Sequence, residues 1–402
     1  MVSFWGPVGE DASSYLYTAW YKSCSFAAIR TSSLTMRIGV NAAGLAGDRP
    51  ADTGNISTAL LKELCRLHPE HQFIFFVDGP GVSLEEFPGN VQLVEVPLKG
   101  KKAWQLYWWR EWQLPAAIKK QQLDLYLGMD GQLPLRSKVP ARLLVTDTGF
   151  LHGVAGMSKD LQRFLRKNTL KYIQAAQKVL VVSPVVQEDL LTYAPAVAEK
   201  LVLLPPGLDS SYRPVEWEER EQIKQEFTGG LEYFVAVGSM HPRNNILPLL
   251  KAFSALKRRL RSNMKLILAG ASTNAGAEII ENMATYKFRN DIIWLQDASQ
   301  ETLSRVIAGA YTLVYTSRFE GLAMPVYAAL KCEVPVVAME GAAARVAGAE
   351  GVLYTDPDSL DDLAEKMSVL YKDEVLRSRM LERGRQVTLP GSWTDAASKI
   401  LK

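Results

Sequence analysis

The residues best suited to chemistry lie in the stretch SRFEGLAMPVYAALKCEVPVVA, from Ser317 to Ala338. Glu320 and Gly321 fall on a predicted turn that precedes an apolar helix beginning near Pro325. A carboxylate next to a glycine, whose backbone can approach a ligand closely, is typical of a small-molecule site. The helix that follows offers mostly apolar side chains where polar partners are expected. The stretch therefore predicts either a working site or the remains of one.

Three predicted strands in the second half of the chain end in turns of this kind. Two of the turns begin at Gly238 and Gly270, and the third spans Ser317–Glu320. Ligands of parallel sheets bind at the carboxyl ends of the strands, where unpaired N–H groups and helix dipoles attract phosphate. Arg243, on the first turn, could add positive charge. The sequence predicts a nucleotide-type ligand, and the alternative is that the glycines only make tight turns.

These turns belong to a regular alternation of strand-like and helix-like segments that begins at Met36 and is typical of parallel α/β structure. The alternation restarts at Tyr233, after the Pro- and Gly-rich segment PPGLDSSYRP, which is typical of a domain boundary. We expect two Rossmann-like domains in tandem, at residues 36–205 and 233–390, joined by an interdomain segment at 206–232. The lack of GxGxxG after either first strand argues against a nicotinamide dehydrogenase.

The composition is that of a soluble globular protein, since 48% of the 402 residues are apolar and 22% are charged. A net charge of only +3 predicts no nucleic-acid partner. The three cysteines, Cys24, Cys65 and Cys332, are far apart and match no disulfide or metal pattern, which suits a reducing cytoplasm. The histidines are scattered, and no metal site is predicted. His68 and His71 are close together in a predicted turn, where we expect both to be solvent-exposed.

The first 35 residues show no clear periodicity and lack the basic start and apolar block of a signal peptide. Met36, by contrast, is followed at once by the strand-like run RIGVNA. We expect residues 1–35 to be a poorly ordered extension or a mis-called start, with Met36 as the natural start. No run approaches the roughly 20 apolar residues that a membrane-spanning helix needs.

Four motifs, in order along the chain, resemble a known family. VVSPVVQEDL resembles its strand-Ser-helix unit, PPGLDSSYRP its interdomain segment, VGSMHPRNNILPLLKAF its glycine turn with an Arg-Lys-Asn signature, and EGLAMPV its E-G-F-G-L-P donor loop. The chain is thus similar to retaining glycosyltransferases of the GT-B fold with an E-x7-E spacing, the family 4-like "glycosyl transferases group 1" enzymes. The resemblance implies two Rossmann-like domains whose parallel sheets face a central cleft. It also implies a C-terminal helix at 391–402 that crosses back.

The resemblance implies that a nucleotide sugar binds in the cleft, chiefly on the C-terminal domain, and that the acceptor binds on the side of the N-terminal domain. It implies no cofactor and no metal, because cationic side chains and loop N–H groups stabilise the leaving diphosphate. The catalytic residues implied are Glu320, which faces the sugar, Arg243 and Asp147. The donor-binding residues implied are Gly54, Gly238, Ser239, Arg243, Asn245, Gly270, Glu320, Gly321, Leu322, Ala323 and Met324.

Five positions depart from the family pattern. Ala328 stands where a second Glu faces the ribose, Ala323 replaces the second Gly of the donor loop, and Asn244 replaces a Lys. Thr146 replaces the His of a His-Asp pair, and the Gly-rich loop after the first strand is reduced to DTG at 52–54. The loss of a charge-stabilising cation alone raises the reaction barrier. The departures leave open whether the protein is an active enzyme with an altered site or an inactive one.

We expect the protein to transfer a hexose from a nucleotide sugar to a glycan or lipid-linked acceptor in surface polysaccharide synthesis. The expected mechanism is retaining and metal-independent. The expected location is the cytoplasm, with the inner face of the membrane as a further option. The alternatives are a catalytically inactive homologue that serves as a scaffold or partner, and a nucleotide-sugar-binding protein.

A second candidate surface is GKKAWQLYWWREWQLPAAIKK, at residues 100–120. Trp104, Trp108 and Trp112 recur at i, i+4 and i+8, which places them on one stripe of a predicted helix. Aromatic side chains beside lysines and arginines suit peripheral contact with a membrane, where a lipid-linked acceptor would be found. Packing on the sheet of the domain is the commoner fate of such a stripe, and we expect it here.

Overall fold

The computed structural model of the protein describes residues 35–42, 56–80, 83–100, 103–388 and 391–402. Within these ranges, the strands form one sheet of seven and one sheet of six. Every pair of neighbouring strands in both sheets is parallel. The expected extension at 1–35, apart from Thr35, lies outside the described residues, and so does Gly54 with the rest of the 52–54 turn.

The first sheet has the order β3-β2-β1-β4-β5-β6-β7. Its strands are β1 (Arg37–Asn41), β2 (Gln72–Val77), β3 (Val91–Glu95), β4 (Leu125–Gly128), β5 (Ala141–Val145), β6 (Lys178–Val181) and β7 (Leu201–Leu203). The second sheet has the order β10-β9-β8-β11-β12-β13. Its strands are β8 (Tyr233–Val237), β9 (Lys265–Ala269), β10 (Ile292–Leu295), β11 (Thr312–Tyr315), β12 (Val336–Met339) and β13 (Val352–Thr355). We call the parts of the molecule built on these sheets the first lobe and the second lobe.

Helices connect the strands. Those between β1 and β7 are α1 (Ile56–Leu67), α2 (Ala103–Trp108), a π-helix (Trp109–Gln113), α3 (Leu114–Gln121), α4 (Gly149–His152), α5 (Lys159–Ala175) and α6 (Pro184–Tyr193). Those that follow are α7 (Trp217–Thr228), α8 (Ile246–Leu260), α9 (Ala277–Thr285), α10 (Gln300–Ala308), α11 (Met324–Lys331), α12 (Ala342–Gly348), α13 (Leu360–Lys372), α14 (Glu374–Arg385) and α15 (Trp393–Ser398).

The central strands are continuous apolar runs because side chains on both faces of each sheet are buried. In β2, for example, Phe73, Ile74, Phe75 and Phe76 are all fully buried. A strand with one face in water would alternate apolar and polar side chains instead. The structure confirms the predicted α/β architecture of two Rossmann-like domains. It also places the carboxyl ends of β5 and β8, which carry candidate site residues, at one cleft.

Two segments connect or cross the lobes. Helix α7 lies within the expected interdomain segment 206–232, and it is fixed to the second lobe because Arg220 donates to Glu232 (3.1 Å) and Ile223 is buried. Helix α15 packs on α1 of the first lobe. The side chain of Ile400, just after α15, lies in the core of the first lobe, and the guanidinium of Arg142 in β5 donates to the Leu401 carbonyl (3.2 Å).

The expectation that the tryptophan stripe packs on the sheet is wrong. Trp104 is 67% exposed, and Trp108 and Trp112 are each 50% exposed. The buried tryptophan of this region is Trp109, whose indole Nε1 donates to the carbonyl of Val96 at 2.7 Å. Trp109 is the first residue of the π-helix, whose i→i+5 hydrogen bonds each enclose one more residue than those of an α-helix. The stripe therefore forms an outward face.

The expectation that both His68 and His71 are solvent-exposed is wrong for His71. Its ring is buried and stacks on the ring of His68, with 5.3 Å between the centroids. Burial lowers the pKa of His71, and the nearby Glu70 carboxylate opposes that shift. The backbone N–H of Met36 points at His71 Nδ1 (3.5 Å), so the ring proton of a neutral His71 belongs on Nε2, the nitrogen that faces Glu70.

Candidate functional site

A cleft of about 310 Å³ lies between the two lobes. The first lobe contributes residues from the end of β5 and the start of α1. The second lobe contributes the turn after β8 and the loop that leads into α11. The lining residues are Ile56, Thr146, Asp147, Val237, Gly238, Ser239, His241, Arg243, Asn244, Glu320, Gly321, Leu322, Met324 and Pro325.

The turn after β8 is held in shape by close backbone contacts. Gly238 has φ +148°, a conformation that favours glycine. A Cβ atom on Gly270 would lie 2.1 Å from the carbonyl oxygen of Gly238, so these two turns pack with no room for a side chain between them. The side-chain amide of Asn244 donates to the carbonyl of Ser239 (2.8 Å). Asn244 thus closes the turn from within, and it brings no cation to the cleft.

Asn245 connects this turn to the loop that carries Glu320. It has φ +49°, a left-handed conformation that Asn adopts more readily than most residues, and it precedes the first residue of α8. Its amide donates to the carbonyl of Thr316 (2.9 Å), and the Thr316 hydroxyl donates back to the carbonyl of Asn244. Asn245 therefore positions the neighbouring loop and does not line the cleft.

The loop at 317–324 touches the first lobe at Gly321. A Cβ atom on Gly321 would lie 2.1 Å from the carbonyl oxygen of Thr146, so only glycine allows this approach. The Gly321 N–H donates to Asp147 Oδ2 (3.2 Å), and the hydroxyl of Ser183 donates to the Gly321 carbonyl. The glycine that the sequence places next to Glu320 is thus a contact between the two lobes.

The guanidinium of Arg243 is the centre of polar contacts in the cleft. Its Nη2 donates to Asp147 Oδ2 (2.7 Å) and to the carbonyl of Phe319 (3.1 Å). Its Nε is buried and has no hydrogen-bond partner among the described residues. Burial opposes the charged form, but the carboxylates of Asp147 and Glu320 outweigh burial and raise the pKa of Arg243. Arg243 therefore stays charged between two carboxylates.

Glu320 lines the cleft, beside Tyr315 at the end of β11. Burial first, and the Glu320 carboxylate second, raise the pKa of the Tyr315 phenol well above its usual range. Among the described lining residues, Arg243 is the one side chain with a permanent positive charge, against the two carboxylates of Asp147 and Glu320. The cleft as it stands carries more negative than positive charge.

His241 is a lining residue that the sequence reasoning did not single out. Its Nδ1 accepts the backbone N–H of Arg243 (3.2 Å), which assigns the proton of the neutral ring to Nε2. Burial, with the charge of Arg243 as a second cause, lowers the pKa of His241, so the ring is neutral at pH 7. A signal existed in the sequence, because His241 lies between Gly238 and Arg243 on one predicted turn.

His152, five positions after Asp147 in the sequence, forms a second contact between the lobes. Its ring stacks on Phe319 with 4.1 Å between the centroids. Its Nε2 lies 2.8 Å from Asp189 Oδ2, which also accepts the hydroxyl of Thr148. Phe319 immediately precedes Glu320, so this stack helps to fix the loop against the first lobe.

The structure brings most of the predicted site residues together. Eight of them line the cleft: Asp147, Gly238, Ser239, Arg243, Glu320, Gly321, Leu322 and Met324. Three others do not line it. Asn245 bonds to the Thr316 carbonyl, Gly270 packs against Gly238, and Ala323 is fully buried in the core of the second lobe. Ala328, the position of the absent second Glu, is also fully buried, in α11. Gly54 lies outside the described residues.

Two Rossmann-like lobes that share a cleft at the carboxyl ends of their parallel strands define a protein of the GT-B class. The sucrose-phosphate synthase of Thermosynechococcus elongatus superposes with a TM-score of 0.72 at 19% identity, over 91% of this chain and 97% of that chain. HepE of Anabaena, in complex with UDP-glucose, superposes with a TM-score of 0.68 at 14% identity, over 91% and 98%.

Family models match both lobes. The model of "Glycosyltransferase Family 4" matches residues 55–212, and the model of "Glycosyl transferases group 1" matches residues 218–387. The chain belongs to the group 1 glycosyltransferases. A relative is the O-antigen chain mannosyltransferase B of Escherichia coli, 25% identical over 244 residues, which are 60% of this chain and 64% of that protein. The match thus spans less than two thirds of the relative's own length.

Proposed function

We propose that the protein transfers a hexose from a nucleotide sugar to a glycan or lipid-linked acceptor in the synthesis of a surface polysaccharide, on the cytoplasmic side. The observation that carries the proposal is the anion-binding arrangement in the cleft, where Arg243 and the Gly321 N–H point at one position. The similarity to an O-antigen mannosyltransferase supports the acceptor class, and the UDP-glucose complex of HepE supports a nucleotide-sugar donor.

In this proposal the second lobe binds the donor. Arg243 and the N–H groups of the 317–324 loop stabilise the diphosphate as its negative charge develops, and no metal is required. Glu320 lies within the same lining and positions the sugar. The turn at Gly238 and Ser239 lines the same cleft. The sugar leaves the diphosphate and joins the acceptor with retention of configuration at its anomeric carbon.

Calorimetric titration with UDP- and GDP-sugars, followed by a transfer assay with the bound donor, tests the proposal. Glu320→Ala should abolish turnover because the sugar loses its positioning carboxylate. Glu340→Gln is the matched control: Glu340 also lies on the second lobe, where it is exposed and pairs with Arg345 (2.6 Å) away from the cleft lining. Turnover that survives in Glu320→Ala would contradict the assignment of the site.

A second candidate function is binding without transfer, and two observations favour it. Ala328 is fully buried, so no carboxylate faces a ribose from this position. Asn244, in the place of the family's Lys, uses its amide inside the turn. Donor binding with neither hydrolysis nor transfer would support a nucleotide-sugar-binding protein. The absence of binding to every donor would leave a scaffold or partner of an active transferase.

We also propose that the outward tryptophan face contacts an anionic membrane and brings the protein to a lipid-linked acceptor. Within the described ranges, no helix combines the length and the apolar character that crossing a bilayer requires. Trp104, Trp108 and Trp112 are exposed on this face, and Arg136 lies over the Trp112 ring, 3.5 Å from its centroid. Aromatic rings with adjacent cations suit the headgroup region of a bilayer.

Vesicle flotation with and without anionic lipid tests the membrane contact. The double variant W104S/W108S should lose flotation with anionic vesicles. The matched control is Trp217→Ser, because Trp217 is 68% exposed on the second lobe, at the start of α7. Equal flotation of both variants, or no flotation of the unmodified protein with either kind of vesicle, would contradict the proposal.

A further inference from the structure

We propose that Asp147 is a built-in competitor for the donor: its carboxylate occupies the place of a donor phosphate oxygen and must be displaced before a diphosphate binds. This inference rests on the proposed function for the nature of the ligand. It assigns Asp147 a role in donor access, in place of the catalytic role that the family resemblance implied.

The contacts of the Asp147 carboxylate match those of a bound anion. Its Oδ2 accepts from Arg243 Nη2 (2.7 Å) and from the backbone N–H of Gly321 (3.2 Å). Its Oδ1 accepts from the backbone N–H of Gly149 (2.6 Å). A guanidinium and a main-chain N–H that converge on one oxygen are the donors that phosphate-binding sites use. The carboxylate oxygen therefore lies where a phosphate oxygen would make the same two bonds.

A diphosphate cannot share this position with Asp147. Two anionic oxygens would repel each other, and Arg243 is the one permanent cation of the described lining that could neutralise them. Nη2 of Arg243 already makes two hydrogen bonds, and Glu320 adds a further negative charge close by. Donor affinity is therefore reduced by the free energy of displacing the Asp147 carboxylate.

The displacement would also remove a contact between the lobes. Asp147 belongs to the first lobe, whereas Arg243 and Gly321 belong to the second. Gly321 is also in contact with the Thr146 carbonyl, and its own carbonyl accepts from the Ser183 hydroxyl. A phosphate that replaces Asp147 thus breaks the ionic contact between the lobes and leaves neutral contacts to hold them. The Asp147 carboxylate thus links the two lobes until an anionic donor displaces it.

Calorimetric titration with inorganic pyrophosphate tests the competition without any sugar or base. Asp147→Asn keeps the shape and removes the charge, and Asp147→Ala removes both. Each should bind pyrophosphate about tenfold more tightly than the unmodified protein, the size expected for one charged hydrogen-bonded competitor. Asp160→Asn removes the same charge from the exposed surface of the first lobe and should bind like the unmodified protein. Equal or weaker binding by both Asp147 variants would overturn the proposal.

Glu320→Gln separates displacement from simple charge balance, because it removes a charge near Arg243 without vacating the position between Arg243 and Gly321. If Glu320→Gln gained as much pyrophosphate affinity as Asp147→Ala, net charge rather than displacement would explain the gain. That result would overturn the proposal. A measurement on the unmodified protein needs no variant to fold: saturating pyrophosphate should speed hydrogen exchange of the Gly149 N–H, which loses its carboxylate partner. Unchanged or slower exchange at saturation would contradict the proposal.

The outcome is distinguishable from that of the proposed function. Sugar transfer by the unmodified protein, with no gain in pyrophosphate affinity in the Asp147 variants, would leave the function intact and overturn the competition. Tighter pyrophosphate binding by those variants, without transfer from any nucleotide sugar, would support the competition and contradict the transferase.

Discussion

The two lobes bring opposite chemistry to one cleft. The second lobe presents the guanidinium of Arg243 and the N–H of Gly321, which are suited to an anion, while the first lobe presents the anion itself, the carboxylate of Asp147. In the structure, the hydrogen-bond donors of the second lobe are therefore already paired with a carboxylate of the first lobe. A group 1 fold can therefore hold an arginine and a loop N–H suited to an anion while one of its own carboxylates already occupies them. An anionic ligand that is to bind Arg243 and the Gly321 N–H at this position would have to displace the Asp147 carboxylate.

The largest effect is expected from restoring the family's second carboxylate to the second lobe. Ala328 is fully buried, so Ala328→Glu places an unpaired carboxyl group in the core and should lower the free energy of unfolding by about 3–5 kcal/mol at pH 7. Burial raises the folded-state pKa of that carboxyl above the unfolded value, so the loss should grow as the pH rises above about 4.5. Chemical denaturation at several pH values measures both effects.

Ala328→Gln is the control for size, because it adds similar volume without a titratable charge. Stability of Ala328→Glu equal to that of the unmodified protein would mean that residue 328 reaches the cleft. The second lobe would then be able to accept a ribose-binding carboxylate again, and the contrast between the lobes would weaken.

Removing the cation of the second lobe should have the next largest effect. Arg243→Ala removes the charged hydrogen-bond donor, and its loss should weaken pyrophosphate binding by about 10- to 100-fold. Arg318→Ala is the matched control, since Arg318 is an exposed arginine on the same loop that pairs with Asp358 (2.9 Å). Titration calorimetry on both variants measures the difference. Equal affinities would show that Arg243 is not the anion site.

The contact between the lobes should be sensitive to one methyl group. In Gly321→Ala the new Cβ would lie 2.1 Å from the Thr146 carbonyl oxygen, so the loop must shift, and the free energy of unfolding should fall by about 1–3 kcal/mol. Gly79→Ala is the matched control, because a Cβ there meets nothing within 4 Å. Thermal unfolding of the pair tests this, and equal midpoints would contradict the close approach of the lobes.

The smallest expected effect is a pH dependence of the free energy of unfolding, caused by His241 in the cleft lining. Burial depresses the folded-state pKa of His241 below its unfolded value. At pH values between these two pKa values, the folded protein therefore binds fewer protons than the unfolded chain. The contribution of the neutral ring to stability is complete above about pH 6.5 and declines as the pH falls, by at most about 1.4 kcal/mol per pH unit. His241→Gln should therefore show a shallower loss of stability between pH 7 and pH 5.5, measured by denaturant titration. An unchanged slope would contradict this assignment.

The sequence predicted the fold and much of the cleft because both depend on local signals. Apolar runs and glycine turns located the strands, and the rule that ligands bind at the carboxyl ends of strands brought Gly238, Arg243 and Glu320 together in advance. The pairing of Asp147 with Arg243 could not be predicted, because the two residues are 96 positions apart and lie on different lobes.

The tryptophan stripe shows a different limit. A period near 3.6 places Trp104, Trp108 and Trp112 on one face of a helix, but it does not say whether that face meets the sheet or the solvent. In the structure the stripe faces the solvent, and the neighbouring Trp109, the first residue of the π-helix, turns inward and donates to Val96.

The position of α15 has a consequence for how the protein is made. Ala396, Ala397 and Ile400 complete the core of the first lobe, yet the ribosome synthesises them after the whole of the second lobe. At about 5–20 residues per second, the first lobe waits many seconds with part of its core uncovered. The second lobe, at 217–388, has no such delay and can fold while the first is still incomplete. The first lobe therefore cannot complete its core until residues 393–400 follow the second lobe out of the ribosome.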